Sequence, residues 1–357
     1  MPNTQLSCST RFKVSRVTAW EPDVLAGYWQ QTLALGADPD GEGDIVATLV
    51  RRGEPDTDAD GAAADAVLMV HGFTDYFFNT ELADHFAARG FAFYALDLHK
   101  CGRSWRDGQT PHFTTDLARY DTELERALEV IAEATAPAKV LVYGHSAGGL
   151  IVSLWLDRLR QRGATAERSV NGLVLNSPWL DLQGPAILRT AGTAAIGAVS
   201  RMRKMLVARR PTEGGYGMTL HRDYHGEFDY DLQWKPVGGF PITFGWINAI
   251  RRGHARVHRG LDVGVPNLIL RSDRSVREVA HPDAIQLGDA VLDVKQIARW
   301  AGCIGNRTTI VPIVDAKHDV FLSLPEPRQA AYRELDAWLD WYTRTPAQTT
   351  PAPSGKG

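Results

Sequence analysis

A chain of 357 residues can bury a large core as one domain or two, and its 44% apolar and 23% charged residues are ordinary for a soluble globular protein. A net charge of −3 gives no basis for nucleic-acid binding, and no run of about 18 apolar residues is present to insert stably in a membrane. Cys8, Cys101 and Cys303 are too few and too scattered for a disulfide framework or a zinc site, and the first six residues lack the apolar core of a signal peptide. A cytoplasmic location is therefore expected.

In chain order, residues 1 to 22 read as a polar N-terminal arm. Gly27 to Leu35 and Asp44 to Arg52 alternate like half-buried strands and predict an antiparallel hairpin at a sheet edge. The acidic, alanine- and glycine-rich stretch from Gly53 to Asp65 predicts an exposed loop. The rhythm then becomes strand and helix in turn. Strands are expected at Ala66 to Val70, Phe91 to Leu96, Lys139 to Tyr143 and Gly172 to Asn176. Helices are expected at 77 to 89, Thr115 to Ala134 and Ala147 to Arg162. Such alternation implies a parallel sheet covered on both faces, with its site outside the carboxyl ends of the strands.

The rhythm stops at Ser177-Pro178-Trp179. From about Asp181 to Leu261 only Pro185 to Val207 reads as helical, and two Gly-Gly steps punctuate the remainder. Between residues 182 and 260 twelve Lys/Arg stand against five Asp/Glu, so this segment is basic in an otherwise acidic chain. The alternation resumes with a strand at Val265 to Arg271, a helix at 294 to 302, a strand at Thr308 to Val314 and a closing helix at Glu326 to Tyr342. The tail from Thr345 is expected to be disordered.

The chemistry centres on Gly144-His145-Ser146-Ala147-Gly148, a G-x-S-x-G step between a predicted strand and a predicted helix. In such an elbow the serine sits on a strained turn, lifted clear of the sheet. A serine hydroxyl is a weak nucleophile and needs a base that a third group orients. His318, after the last strand and before the last helix, is placed for that base. Two acids compete. Asp289 lies 29 residues before His318, with room for one helix and one strand between them. Asp273 follows the penultimate strand almost at once. Asp289 is preferred. Asp293 reads better as a helix N-cap. The amides of Phe73, in His71-Gly72-Phe73, and of Ala147 are candidates for an oxyanion hole. Neither a metal-ligand constellation nor a phosphate-binding or cofactor signature appears.

Taken together, these residues resemble the α/β-hydrolase superfamily, within it the monoacylglycerol lipase, lysophospholipase and serine aminopeptidase S33 group. The resemblance spans roughly residues 25 to 343. It rests on His71-Gly72-Phe73, Asp97 to Ser104, Gly144 to Gly149, the Gly288 to Asp293 step and Ala316 to Asp319. It implies a mostly parallel sheet with helices on both faces. The core would comprise residues 23–180 and 262–344, a cap residues 181–261, and a disordered tail residues 345–357. In that group the acid usually lies close to its strand. Asp289 fits only after an insertion from about Val276 to Leu287, which keeps Asp273 open. The implied activity is cleavage of a small-molecule carboxylic ester, lipid-like or medium-chain, without a cofactor. Trp179, Trp234, Phe244 and Trp246 are candidates to line the acyl pocket. An aminopeptidase using the same residues, and a non-catalytic binding protein on this fold, are the alternatives.

Overall fold

The computed structural model describes residues 19–55, 65–136, 139–165, 167–183, 186–212, 214–277 and 281–344. Most of the N-terminal arm, most of the acidic loop and the tail from 345 lie outside the described residues. Glu21–Pro22 (β1), at the end of the expected arm, pairs instead with the first long strand.

Tyr28–Ala37 (β2) and Asp44–Arg52 (β3) form the expected antiparallel hairpin. There follow Ala66–Val70 (β4), Thr80–Ala88 (α1), Ala92–Asp97 (β5), Asp121–Thr135 (α2), Val140–His145 (β6), Ala147–Gln161 (α3) and Val170–Asn176 (β7). Helix α1 starts three residues later than the pattern suggested. Asn79 caps it by accepting from the Leu82 amide, and residues 77 and 78 are drawn into the preceding loop.

The segment after β7 is more regular than its sequence indicates. Ala186–Met202 (α4) ends before Val207, because Val207–Arg209 (β8) leaves the helix to pair with Ile242–Thr243 (β9). Phe244–Val257 (α5) went unforeseen. Thr243 caps it, and Trp246, Ile247, Ile250, His254 and Val257 make its buried stripe. The last elements are Asn267–Ser272 (β10), the single turn Pro282–Ile285 (α6), Val294–Trp300 (α7), Thr308–Ile313 (β11) and Pro325–Arg344 (α8).

Nine strands form one sheet in the order β1-β2-β3-β5-β4-β6-β7-β10-β11. The six strands from β5 to β11 in that order are mutually parallel, and β1, β2 and β3 extend one edge antiparallel. Strands β4, β6 and β7 are buried along nearly their whole length, as β-branched strands covered on both faces must be. One face packs on α2, α3 and α5 around Leu124, Leu150, Trp155 and Ile250. The other packs on α1 and α8 around Phe86, Tyr143, Leu335 and Trp338. The loops after β4, β6, β7, β10 and β11 therefore open on the same edge of the sheet.

Candidate active site

Strand β6 ends at His145, and Ser146 makes the turn into α3 with φ 53° and ψ −118°. A non-glycine residue with positive φ is strained and persists only where its surroundings hold it. Here the Ser146 amide donates to the Asn176 carbonyl (3.0 Å), and the Ser146 carbonyl accepts from Trp179 (3.0 Å). The glycines permit the close packing. A Cβ on Gly148 would lie 2.2 Å from the His71 carbonyl oxygen, and one on Gly72 would lie 3.0 Å from the Ser146 Cβ. The elbow and the loop after β4 are thus in contact.

The Ser146 hydroxyl lies 2.9 Å from His318 Nε2, and His318 Nδ1 lies 2.9 Å from Asp289 Oδ2. An ionised carboxylate only accepts, so Nδ1 carries the proton and Nε2 is left to accept from the serine. Ser146, His318 and Asp289 are all buried. The second carboxylate oxygen of Asp289 accepts from the amides of Val291 (2.8 Å) and Leu292 (2.7 Å). This leaves Oδ2 facing the imidazole.

The structure brings Asp289, rather than Asp273, to His318. After β10 the chain leaves on an excursion and returns, and Ser275 pairs with Asp289 through a parallel bridge. The Asp289 amide donates to the Arg274 carbonyl (3.0 Å), and the Val276 amide donates to the Asp289 carbonyl (2.9 Å). Asp289 therefore stands beside the end of β10 although it lies 16 positions after Asp273. Asp273 is spent on the turn after β11. Its Oδ1 accepts from Asp315, whose φ is 57°. Asp293 caps α7 through the Lys295 amide.

His318 is anchored from both flanks. The Lys317 amide donates to Ser323 Oγ (2.9 Å), and Asp319 Oδ1 accepts from Asn176 Nδ2 (2.6 Å). Asn176, fully buried at the end of β7, thus joins the serine turn through its carbonyl to the histidine loop through its side chain. Sequence reasoning missed it. A buried asparagine ending an apolar parallel strand was the available signal. Tyr216 was also missed. It lies edge-on to His318 at 5.7 Å, and its hydroxyl accepts from the Asp319 amide. His145 packs 4.9 Å from His318, and burial pushes its pKa down and keeps it neutral.

His71 orients the loop after β4. Its Nε2 accepts from the Leu98 amide (3.1 Å), so its Nδ1–H donates to the Gly72 carbonyl (2.8 Å). That carbonyl is thereby turned away, and the Phe73 amide of the same peptide points the other way. Among the described residues neither the Phe73 nor the Ala147 amide has a hydrogen-bond acceptor. Two unpaired amides beside a serine, one at a helix N-terminus, form a place where an anion can be held.

Of the four aromatic candidates, two stack beside Phe73. Trp246 lies 4.1 Å from the Phe73 ring and 5.6 Å from Trp179. Trp234 has other ring contacts. It meets Tyr76 edge-on at 5.1 Å with the Arg103 guanidinium over its face, in a cluster with Phe78, Leu220 and Tyr230. Arg103 is held there by ion pairs to Asp23 and Asp97. Phe244 opens α5 half-buried, its amide on the Leu206 carbonyl.

Among the described residues no group of three or more His, Cys, Asp or Glu side chains is placed to hold a metal. His221 is occupied by the Tyr230 carbonyl and the Asp223 amide. Cys101 is buried beside His112, and burial raises its thiol pKa.

The strand order and the serine turn leading into a helix define an α/β-hydrolase. The chain belongs to the family described as Hydrolase_4, serine aminopeptidase S33, whose sequence profile matches residues 61–278. No curated protein sequence matches the chain. It is similar in fold to a soluble variant of the monoglyceride lipase of Saccharomyces cerevisiae, solved with a substrate analog. There the TM-score is 0.58 at 15% identity, covering 94% of this chain and 98% of that one. It is similar also to the monoacylglycerol lipase of Paleococcus ferrophilus, with TM-score 0.54, 17% identity and coverage of 88% and 99%. Est1E of Butyrivibrio proteoclasticus, solved with ferulic acid, has TM-score 0.51 at 13% identity, with coverage of 88% and 100%. Among the described residues no helix is long and apolar enough to cross a membrane.

Proposed function

We propose that this protein is a serine hydrolase that cleaves a lipid-like or medium-chain carboxylic ester. The carrying observation is the continuous hydrogen-bonded line from Ser146 through His318 to Asp289, with 2.9 Å at both links. Ser146 Oγ bonds to the ester carbonyl carbon while His318 Nε2 takes its proton. The carbonyl π electrons move to an oxyanion held by the amides of Phe73 and Ala147. Collapse breaks the ester bond, and His318 returns the proton to the departing alkoxide. Water then repeats the sequence on the acyl-enzyme, releasing the acid and restoring Ser146. Asp289 keeps the proton on Nδ1 and stabilises the imidazolium formed in each half.

Residues 181–261 serve in this reading as a cap above Ser146, with 23–180 and 262–344 as the core. The apolar stack of Phe73, Trp246 and Trp179 supports an acyl chain as the group bound there. The family's description favours a second reading, release of an N-terminal residue from a peptide. That reaction needs a carboxylate for the substrate amine. Asp289 is taken by His318 and Asp75 by Lys235.

A panel of p-nitrophenyl esters of increasing chain length, run beside amino-acid anilides, decides between them. Ester kcat/KM should rise from acetate to the medium-chain esters and exceed that for the anilides. Faster anilide cleavage, abolished in Ser146→Ala, would give the site to peptides.

A further inference from the structure

The loop between β4 and α1 is restrained by two different parts of the molecule. The core holds its ends. His71 is fixed on the Leu98 amide, the Phe77 amide donates to Asp97 Oδ1 (2.9 Å), and Arg103 donates to the Phe77 carbonyl (2.9 Å). The middle of the loop, residues 73 to 76, is held by residues 231 to 246. The Phe73 ring stacks on Trp246, and the Thr74 hydroxyl accepts from the Phe240 amide (2.9 Å). Asp75 Oδ1 accepts from Lys235 Nζ (2.6 Å), and the Tyr76 hydroxyl accepts from the Asp231 amide (2.7 Å). Thr74 itself has φ 52°, a conformation that needs such support.

One of these ties is a buried ion pair. Asp75 is 5% exposed and Lys235 8%. Burial would raise the Asp75 carboxyl, but the charge and the hydrogen bond of Lys235 oppose it, and the pKa is held at about 2. The ammonium is further enclosed by the rings of Phe78 and Tyr230. The second carboxylate oxygen of Asp75 reaches the Gly72 amide at 3.4 Å, while His71 grips the Gly72 carbonyl at 2.8 Å. Gly72 is thus held at both its N–H and its C=O. The Gly72 carbonyl and the Phe73 amide share one rigid peptide plane, so the His71 grip aims the Phe73 N–H directly, while the Asp75 grip fixes the preceding peptide, on which that plane hangs at the Gly72 Cα.

We propose that Lys235 is a positioning residue for the oxyanion donor. Through Asp75 it braces the His71–Gly72 peptide that carries the Gly72–Phe73 plane, so the proposed cap completes the oxyanion site as well as lining the acyl pocket. The inference rests on the reading of Ser146 and Phe73 given above. Because only the transition state carries the oxyanion, the contribution of Lys235 falls on kcat rather than on substrate affinity.

The test uses Lys235→Met, Lys235→Arg and the double variant Asp75→Asn/Lys235→Met in the full chain, with active sites counted from the burst of a p-nitrophenyl ester. The double variant removes both buried charges and carries the test if the single one does not fold. Lys235→Met and the double variant should lose about 10- to 100-fold in kcat per counted site, less than the roughly 10²- to 10³-fold of removing an oxyanion donor outright, with KM within about twofold. Affinity for a trifluoromethyl ketone, which forms an oxyanion hemiketal on Ser146, should fall by the same factor, and Lys235→Arg should recover part of both. Folded variants with wild-type kcat per site, or with reduced kcat but undiminished ketone affinity, overturn the role of Lys235. Ser146→Ala is run beside them. Full hydrolysis by that variant overturns the serine reading instead, and the Lys235 inference falls with it.

Discussion

The two halves of the site are built in different ways. On one side every polar group of the candidate site stands at the end of a strand, namely Ser146 after β6, Asn176 at the end of β7, Asp289 beside β10 and His318 after β11. Short hydrogen bonds connect them. On the other side, residues 216 to 246 reach the same place from an irregular segment, through ring stacking and a few polar clasps such as Asp75–Lys235. Separation in sequence is not the difference. Ser146 and His318 are 172 residues apart, and Asp75 and Lys235 are 160 apart. The strand order alone carries the first pair to one edge of the sheet, whatever the neighbouring side chains. The second pair meets only because an irregular segment packs in one particular way. The Ser146–His318–Asp289 line is therefore set by topology, and the contacts of the loop after β4 with residues 231 to 246 by packing.

The largest effect that could break this comparison lies in the two acids. Asp289→Asn should lower kcat on a p-nitrophenyl ester by about 10⁴, because the imidazole then loses the partner that fixes its tautomer. Asp273→Asn, whose carboxylate meets the Asp315 amide and the neighbouring Arg274, should stay within about threefold of the wild type, given the ~0.5 kcal/mol usual for such surface changes. A reversed ranking would mean that the excursion after β10 is packed differently from the arrangement described here.

The packing side is sharpened by its tryptophans. Trp246 is buried between Phe73 and Trp179, and Trp246→Ala should destabilise the fold by ~3–5 kcal/mol and raise KM for longer acyl esters. Trp234→Ala should lower stability while leaving KM unchanged, since its ring contacts are Tyr76 and Arg103. Urea unfolding and KM across chain lengths separate the two outcomes.

A smaller effect concerns pH. Burial first, and then the charge of Arg251, bring His254 from 6.5 down to about 3. It sits under Trp179, donating from Nε2 to its carbonyl. Because the folded pKa is depressed, the stability tied to neutral His254 is fully present above pH 6.5 and is lost as pH falls toward 3. This one group contributes a slope of about 1.4 kcal/mol per pH unit across that window. His254→Gln can still donate to Trp179 and should flatten the slope by that amount in unfolding titrations. An unchanged slope would show that His254 is protonated in the fold.

The sheet and the serine turn were legible because they depend on periodicity and on glycine spacing. Strands β4, β6 and β7 are apolar runs, and Gly144 and Gly148 flank Ser146. The choice between Asp289 and Asp273 was only half legible, because a return bridge at Ser275 leaves no sequence pattern. Helix α5 was hidden by its start. Thr243 follows a Gly-Gly-Phe-Pro step that reads as a loop, and Gly245 and Gly253 interrupt the helical stripe. The partners of Trp234, Tyr76 and Arg103, were not legible, because aromatic content does not show which rings meet. The grip of Lys235 on Asp75 could not be read either, since a lysine before a proline in a basic segment looks like a solvated charge.

The central claim is that Ser146 is the nucleophile that His318 and Asp289 activate. Intact-mass measurement after brief exposure to a fluorophosphonate tests it most directly. The account predicts one adduct per chain, mapped by peptide digestion to Ser146, absent in Ser146→Ala and much slower to form in Asp289→Asn. An unmodified wild-type chain, or an adduct that persists in Ser146→Ala, would contradict it.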